Sequence, residues 1–352
     1  VILPSYTFPS TANAFVLRGA VPVFVDVRID TLNIDEALIE SAITTRTKAI
    51  CCVHYAGVAC DMDTIMEIAH RHKLYVVEDA AQALMGTYKG RALGTIGHFG
   101  CFSFHYTKNI ICGEGGALSV KRCVEPQVGQ RAMVIWEKGT NRYDFMQGKV
   151  DKYRWLEVGS SFVPNEVSCA ILFAQLLEAE NITSRRLAHY RRYESGLKEL
   201  ADQGFFRIPT VPNYAAHNAH IFYLLFPSAA RREYFQTELQ SRGIACFTHY
   251  VPLHSSPAGR KYGRVSANAG AHRSTGPSTT SSMGSIDTVA VSSMGGEGEE
   301  DNSGDNTSSK ALAVTHAVDG CLIRLPIWID LTIDQIEYVI EAIKETASSC
   351  SI

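Results

Sequence analysis

The sequence predicts an α/β fold with a mainly parallel sheet and a second, smaller α/β unit. Short apolar segments alternate with amphipathic segments of about a dozen residues in the first half, the pattern of βαβ units. A long stretch of helical periodicity follows from Asn165 to Leu200. The chain has 352 residues, enough for two domains. We therefore assign residues 1–164 to a large domain, 165–200 to a connecting helix, and 201–264 with 318–352 to a small domain.

The strands predicted in the large domain are short and largely apolar, and Val21–Val27 is a continuous apolar run with β-branched residues, as is typical of a strand buried on both faces. These strands are Val21–Val27, Ala49–Val53, Leu74–Val77, Phe99–Phe104 and Ala117–Val120. A helix is predicted to begin at Asn33, an N-cap with Glu36 three residues later. A second helix is predicted over Asp61–His72. Pro126 and Gly129 are expected to interrupt a later helical segment.

The small domain shows the same alternation of short apolar, strand-like segments and amphipathic, helix-like segments. Its predicted strands and helices are Ile221–Phe226, Arg231–Arg242, Ile244–Tyr250, Leu322–Trp328 and Ile333–Ile343. Thr332 and Gln335 form a capping box for the last helix.

Residues 265–317 differ in composition from the rest of the chain. They are rich in Ser, Gly, Thr and Asn, with an acidic cluster at Glu297–Asp301. Such a segment buries too little apolar surface to offset its ordering entropy. We expect an unstructured insertion whose deletion leaves stability nearly unchanged.

Composition excludes several functions. The 33 Lys and Arg residues are balanced by 36 Asp and Glu residues, which disfavours nucleic acid as a partner. The ten cysteines are scattered without a CxxC pair, which indicates buried thiols rather than a disulfide scaffold or a metal site. No apolar stretch reaches the length of a membrane span, so we expect a cytoplasmic protein without a membrane partner.

Two segments carry candidate chemistry. Asp79 directly follows a buried strand, where parallel sheets present their ligand-binding groups. Lys108 follows the strand that ends near Ser103, just before the glycine-rich turn Gly113–Gly116. A lysine at a partly buried strand end loses solvation, which favours its neutral, nucleophilic amine. Taken alone, Asp79 fits a helix cap better, and a lysine in general is more often a surface residue. The hydroxyl and glycines beside Lys108 weaken the surface alternative, because small residues and N–H donors suit a bound phosphate.

Together these segments resemble the DegT/DnrJ-type sugar aminotransferases, pyridoxal-phosphate enzymes with the aspartate-aminotransferase fold (fold type I). The residues that carry the resemblance are Pro4–Asn13, Val53–Gly57, Glu78–Gln82, Phe102–Asn109, Glu137–Arg142 and His249–His254. Within the family, Pro4–Gly57, together with Gly139–Arg142 and Gln147–Tyr153, is most similar to enzymes that transfer an amino group from L-glutamate to C4 of dTDP-4-keto-6-deoxyglucose.

The resemblance implies a role for each matching residue. Lys108 would bind the cofactor covalently and move the substrate proton, and Asp79 would face the pyridine nitrogen, so that both converge at one sheet edge. The remaining cofactor contacts would come from Gln82, Ser103, Phe8 and, in the neighbouring subunit of a homodimer, Asn141. Tyr250 and His254 would line the side of the nucleotide-linked sugar, although packing roles are open for both, as for Phe8.

The chain also departs from the family. Family members carry a further segment before the position that matches Val1, and polar residues usually replace Ile110–Cys112. Two other functions therefore stay open: a catalytically impaired family member with a structural or interaction role, and a pyridoxal-phosphate sugar dehydratase. The dehydratases of this family have histidine at the Schiff-base position, so Lys108 disfavours the second.

Overall fold

The computed structural model describes residues 1–122, 124–266 and 311–350. Within them, a seven-stranded sheet forms the centre of the large domain. Its strands are β1 (Ile2–Pro4), β2 (Val23–Val25), β3 (Ala49–Val53), β4 (Tyr75–Asp79), β7 (Phe99–Ser103), β8 (Gly116–Val120) and β11 (Arg264–Val265). They lie in the order β11–β2–β1–β3–β4–β7–β8, and only β8 runs antiparallel to its neighbour. The mainly parallel sheet predicted from the sequence is confirmed.

A smaller three-stranded sheet lies beside the main one. It consists of β5 (Thr87–Tyr88), β6 (Arg91–Ala92) and β9 (Ala215–Ala216), all antiparallel. None of these two-residue strands was predicted.

The large domain contains five helices within the described residues: α1 (Pro9–Val16), α2 (Glu36–Ile39), α3 (Met62–Arg71), α4 (Pro126–Trp136) and α5 (Arg142–Met146). Helix α3 follows the predicted pattern, because Asp61 caps it and Met62, Ile65 and Ala69 are buried.

Two sequence-based expectations about helices need correction. Asn33 does not cap α2; the cap is Asp35, whose side chain accepts a hydrogen bond from the Ala37 amide. The buried Asn33 side chain instead donates to the Val58 carbonyl and accepts from the Tyr55 amide. Pro126 does not interrupt a helix either, since it occupies the first turn of α4, where its missing N–H is not needed.

The predicted connecting helix is two helices, α6 (Glu166–Leu177) and α7 (Ala179–Asp202), with Asn165 capping the first. The small domain follows with β10 (Phe222–Leu225) paired antiparallel to β12 (Leu322–Leu325). Its helices are α8 (Ala229–Ser241), α9 (Pro257–Tyr262), α10 (Ala313–Val318) and α11 (Ile333–Ser349). The predicted Thr332–Gln335 capping box is present at the start of α11.

The strand expected over Ile244–Tyr250 does not form. Only a single bridge between Phe247 and Arg324 joins this segment to β12. Ile244 and Cys246 are buried in this loop, whereas Ala245 and Phe247 are exposed.

The segment 265–317, which was expected to be unstructured, includes structured residues at both of its ends. Val265 belongs to β11, and Leu312 and Thr315 are buried at the start of α10. Asp26 fixes that end, because its carboxylate accepts hydrogen bonds from the Val314 and Thr315 amides and from the Thr315 hydroxyl. The rest of the expected insertion, 267–310, lies outside the described residues.

None of the helices in the described ranges has the length and apolar character of a membrane span.

Candidate active site

The candidate site lies where two neighbouring parallel strands end. β4 ends at Asp79 and β7 ends at Ser103, and Asp79 is in register with Cys101. The Asp79 carboxylate accepts hydrogen bonds from the Thr11 hydroxyl of α1 at 2.7 Å and from the Ala81 amide at 3.1 Å. These two donors fix the orientation of the Asp79 side chain at the strand end.

Glu78, one residue earlier, has a different environment. Its fully buried carboxylate accepts hydrogen bonds from His54 Nε2 at 2.9 Å and from the backbone amides of Gly94, Ile96 and Gly97. Burial would raise the pKa of this carboxyl, but the hydrogen bond and charge of His54 and the Gly97 and Gly94 amides bring it below its ordinary value. Glu78 thus ties the end of β4 to the 94–97 turn and is not part of the pocket.

Lys108 lies in the turn after β7 and lines a pocket beside Asn109. Gln82 and Ser103, two more of the predicted site residues, also line the pocket. Its remaining lining residues are Ala81, Leu84, Ile110, Asn218 and His220. Burial lowers the pKa of Lys108; the Asp79 carboxylate opposes this and Arg324 adds to it, so that the net shift is downward. The structure therefore brings Lys108, Gln82 and Ser103 together, within electrostatic range of Asp79.

Gln82 connects this pocket to the small domain. Its Oε1 accepts from the Ala56 amide, and its Nε2 donates to the Tyr250 hydroxyl, both at 2.7 Å. The Phe8 ring lies 6.2 Å from the Tyr250 ring, centroid to centroid. Because Phe8 is 57% exposed, it is not an ordinary core aromatic.

Two of the predicted site residues lie away from this pocket. His254 is buried, with Nδ1 2.7 Å from the Ser5 hydroxyl and Nε2 3.2 Å from Nε2 of His316. Asn141 precedes α5, and its Oδ1 accepts from the Arg154 amide at 2.7 Å. The packing alternative for His254 agrees with these contacts, and the predicted role of Asn141 concerns a neighbouring subunit.

Sequence reasoning missed a hydrogen-bonded loop that closes the pocket. Asn218 donates to the carbonyls of Gln82 and Leu84, and Asn109 Nδ2 donates to the Asn218 carbonyl. Because Asn109 Oδ1 is consequently the acceptor, His220 Nδ1, at 2.9 Å, donates to it. The position of Asn109 directly after Lys108 was the available sequence signal.

Two arginines were missed as well. The guanidinium of the buried Arg186 on α7 donates to the carbonyls of Ala219 and His220, which holds that loop. Arg324 interrupts the apolar strand β12. Burial lowers the pKa of Lys108 and that of His249, and the charge of Arg324 lowers both further. A basic residue within an apolar strand pattern was the signal for Arg324.

Comparisons with known proteins agree with this geometry. Residues 1–285 match the DegT/DnrJ/EryC1/StrS aminotransferase family. An uncharacterised protein of Methanocaldococcus jannaschii, MJ1066, is 37% identical over 267 residues, 74% of this chain and 68% of that protein. The spore coat polysaccharide biosynthesis protein SpsC of Bacillus subtilis is 33% identical over 264 residues, 73% of this chain and 66% of SpsC. The chain thus spans about two thirds of the length of these relatives.

Solved structures share the fold over nearly the whole chain. DesV of S. venezuelae matches 98% of this chain and 78% of its own, with a TM-score of 0.76 and 29% identity. The sugar aminotransferase Spr1654 of Streptococcus pneumoniae, in its PLP form, matches 99% of this chain and 80% of its own. Its TM-score is 0.78 at 22% identity, which establishes a common fold.

Proposed function

The chain belongs to the DegT/DnrJ/EryC1/StrS aminotransferase family, and from this premise we propose that it transfers an amino group from L-glutamate to a nucleotide-linked 4-keto-6-deoxy sugar. Members of this family are pyridoxal-phosphate-dependent aminotransferases of fold type I, so the predicted fold class, enzyme class and cofactor are confirmed. The observation that carries the proposal is the pocket in which Lys108, with its lowered pKa, lies within range of the Asp79 carboxylate.

The residues around the pocket fit pyridoxal phosphate chemically. A lysine with a lowered pKa offers the neutral amine that bonds an aldehyde carbon, and the Asp79 carboxyl group, positioned by the Thr11 hydroxyl, suits a protonated pyridine nitrogen. Gln82 keeps one N–H beyond its bond to Tyr250, and Ser103 adds a hydroxyl to the same pocket. In the proposed arrangement Lys108 holds the group covalently, Asp79 and Gln82 contact its ring polar atoms, Ser103 its phosphate and Phe8 its ring face.

The bound group supplies an electron sink for the carbanion formed at the substrate carbon. The residues of the chain do the rest. Lys108 Nζ accepts and returns the substrate proton, which requires a neutral amine at working pH and so agrees with its lowered pKa. Thr11 and the Ala81 amide keep Asp79 in place, so that its charge needs no reorganisation during the reaction.

The nucleotide-linked sugar is supported by two observations. SpsC, a relative at 33% identity, is a polysaccharide biosynthesis protein, and polysaccharides are assembled from activated sugars. The segments Gly139–Arg142 and Gln147–Tyr153 resemble enzymes that act on dTDP-4-keto-6-deoxyglucose. The proposed product is accordingly dTDP-4-amino-4,6-dideoxygalactose.

A second copy of this chain is the proposed partner. Helix α6 has no buried residue in the described structure, although Val167, Ile171, Phe173 and Leu177 are all apolar. Exposed apolar area of this extent favours a protein–protein interface. In the proposed homodimer Asn141 reaches the cofactor phosphate of the neighbouring subunit.

The chemistry is tested with two substitutions at the pocket. Lys108→Ala should abolish covalent cofactor binding and turnover, because no other described amine lines the pocket. Asp79→Asn should spare covalent binding but lower turnover by a factor of roughly a hundred or more, since the amide does not hold a proton on the pyridine nitrogen. Cofactor absorbance and mass spectrometry of the aminated sugar report the two steps.

Lys48→Ala, which removes an exposed lysine of the same domain, is the matched control. An unchanged transfer rate in Lys108→Ala would refute the assignment of this site. Wild-type protein that binds the cofactor without transferring an amino group to any keto sugar would favour the impaired family member.

A further inference from the structure

His220 lies in the wall of the pocket, together with Lys108 and Asn109. Its Nδ1 is 2.9 Å from Oδ1 of Asn109. The orientation of the Asn109 amide is fixed at its other end, because Nδ2 donates to the Asn218 carbonyl, which can only accept. The ring proton of His220 is therefore on Nδ1, which donates to Asn109.

The second nitrogen of this imidazole has an available lone pair. Burial lowers the pKa of His220 well below its ordinary value, and nearby basic groups lower it further: Lys108 most, then Arg186, His249 and Arg324. A neutral imidazole that is protonated at Nδ1 accepts at Nε2. Within the described residues Nε2 has no hydrogen-bond partner. Because His220 is half-buried and lines the pocket, this nitrogen is accessible to a donor in the pocket.

Lys108 is the donor that the pocket offers. Among the lining residues it carries the one amine, and its Nζ has no hydrogen bond or ion pair within the part of the chain that the structure describes. Of the basic groups near His220, Lys108 has the largest effect on the histidine pKa, which agrees with their shared position in the pocket wall. Asn109, which fixes the His220 ring, also directly follows Lys108 in the chain.

The backbone that carries His220 is held in a strained conformation. Ala219 has a φ of 52°, in the left-handed region that residues with a Cβ rarely adopt. Such strain persists where the surroundings determine it. Arg186 donates to the carbonyls of Ala219 and His220, and Asn218 donates to the Gln82 carbonyl. The fold therefore sets the position of the imidazole before any ligand binds.

We propose that His220 is a positioning residue for Lys108, whose amine donates a hydrogen bond to His220 Nε2 whenever it is not bonded to the cofactor; the inference rests on the function proposed for this pocket. The hydrogen bond would orient the amine for uptake of the substrate proton. It would also favour the ammonium form, since a charged donor forms the stronger hydrogen bond. Asp79 and His220 would then both oppose burial and Arg324, which lower the pKa of Lys108.

Two substitutions separate the two nitrogens of His220. Asparagine places its amide near the Nδ1 position and glutamine near the Nε2 position, so His220→Asn keeps the donor to Asn109 and His220→Gln keeps an acceptor in the pocket. In cofactor-free protein the pKa of Lys108 should fall by roughly one pH unit in His220→Asn and stay near the wild-type value in His220→Gln. Labelling with acetic anhydride across pH, followed by peptide mass spectrometry, measures this pKa.

His70 on α3, an exposed histidine, provides the matched controls. His70→Asn and His70→Gln should leave the pKa of Lys108 unchanged. A fall in His220→Gln alone would assign His220 to holding Asn109 and overturn the inference. An unchanged Lys108 pKa in both His220 variants, or an equal fall in both, would overturn it as well.

NMR of the wild-type protein provides a readout that does not depend on how the His220 variants fold. In cofactor-free protein with nitrogen-15-labelled histidine, His220 should be protonated at Nδ1 and unprotonated at Nε2. The Nε2 signal should shift when Lys108→Met removes the donor. A proton on Nε2, or an Nε2 signal that is the same in Lys108→Met, would overturn the inference.

Failure of the proposed function gives a different pattern, because neither measurement uses an amino acid or a sugar. Protein that shows the expected His220 signals and Lys108 pKa values but transfers no amino group would refute the proposed function alone. In active holoenzyme, turnover should fall roughly 10-fold in His220→Asn and stay within about twofold of wild type in His220→Gln. Active holoenzyme whose Lys108 pKa is the same in all His220 variants would refute only the inference.

Discussion

Two adjacent carboxylates illustrate how neighbouring residues take different roles. Successive side chains of a strand point to opposite faces, so Glu78 and Asp79 at the end of β4 enter different surroundings. Glu78 is buried against His54 and three backbone amides, and Asp79 lies within range of Lys108. The alternation of side chains along β4 therefore gives Glu78 a structural position and places Asp79 near Lys108.

Two substitutions near Lys108 should shift the pKa of this lysine in opposite directions, because they remove charges of opposite sign. Asp79→Asn removes a negative charge that stabilises the ammonium, so the pKa of Lys108 should fall further. Arg324→Gln removes a positive charge, so the same pKa should rise toward the ordinary lysine value. The pH dependence of the rate of pyridoxal-phosphate addition to cofactor-free protein measures both. Shifts in the same direction in the two variants would contradict the arrangement.

At the level of elements, a single buried contact network holds the site edge. The 94–97 turn between β6 and β7 directs three amides at Glu78, and His54 after β3 contributes the fourth donor. One carboxylate therefore links the ends of β3 and β4 to the turn that precedes β7. We expect the placement of Asp79, the residue after Glu78, to depend on this linkage.

Glu78→Gln should destabilise the protein by about 3 kcal/mol. The side-chain nitrogen of glutamine is itself a donor, so it cannot accept the hydrogen bonds of the surrounding N–H groups. The pKa of Glu78 is below its ordinary value, so its contribution is present above the unfolded-state pKa and is lost as pH falls through the lower folded-state pKa. The stability difference from wild type should consequently be constant near neutral pH and shrink in acid. Urea unfolding across pH measures it, and a difference that grows in acid would contradict the assignment.

At the scale of the whole molecule, the apolar surface of the large domain is the main unexplained feature. Trp155, Phe162 and Phe173 are each at least 60% exposed in the described structure. They lie on α6 and on the segment between α5 and α6. In contrast, Tyr193 of α7 and Phe222 and Phe235 of the small domain are buried together in one core.

Phe173→Glu should weaken self-association of the proposed homodimer by about 3 kcal/mol, roughly a hundredfold in the dissociation constant. Phe173 is 66% exposed, so the substitution leaves the monomer fold intact. Light scattering over a concentration series measures the change. Ile333→Glu, at the exposed start of α11, is the matched control, and a monomeric wild-type protein would refute the proposed dimer.

The sequence by itself determined the elements whose signals are local. The parallel strands, α3 with its Asp61 cap and the Thr332–Gln335 capping box follow from periodicity and capping chemistry within a few residues. The motifs around Asp79 and Lys108 identified both members of the central pair for the same reason, since each follows a strand end. The roles predicted for all of these site residues remain predictions: Lys108, Asp79, Gln82, Ser103, Phe8, Asn141, Tyr250 and His254.

Only the tertiary structure decided which distant residues lie near the predicted site. Arg324 lies 216 positions after Lys108 in the chain, and no local pattern records that their charges interact. Asn33 and Asp26 likewise form hydrogen bonds with residues distant in the sequence, Asn33 with Tyr55 and Asp26 with Thr315. A buried polar group takes the partner that the fold brings to it. Strand and helix periods depend on neighbours in sequence, whereas hydrogen-bond satisfaction and electrostatics depend on neighbours in space.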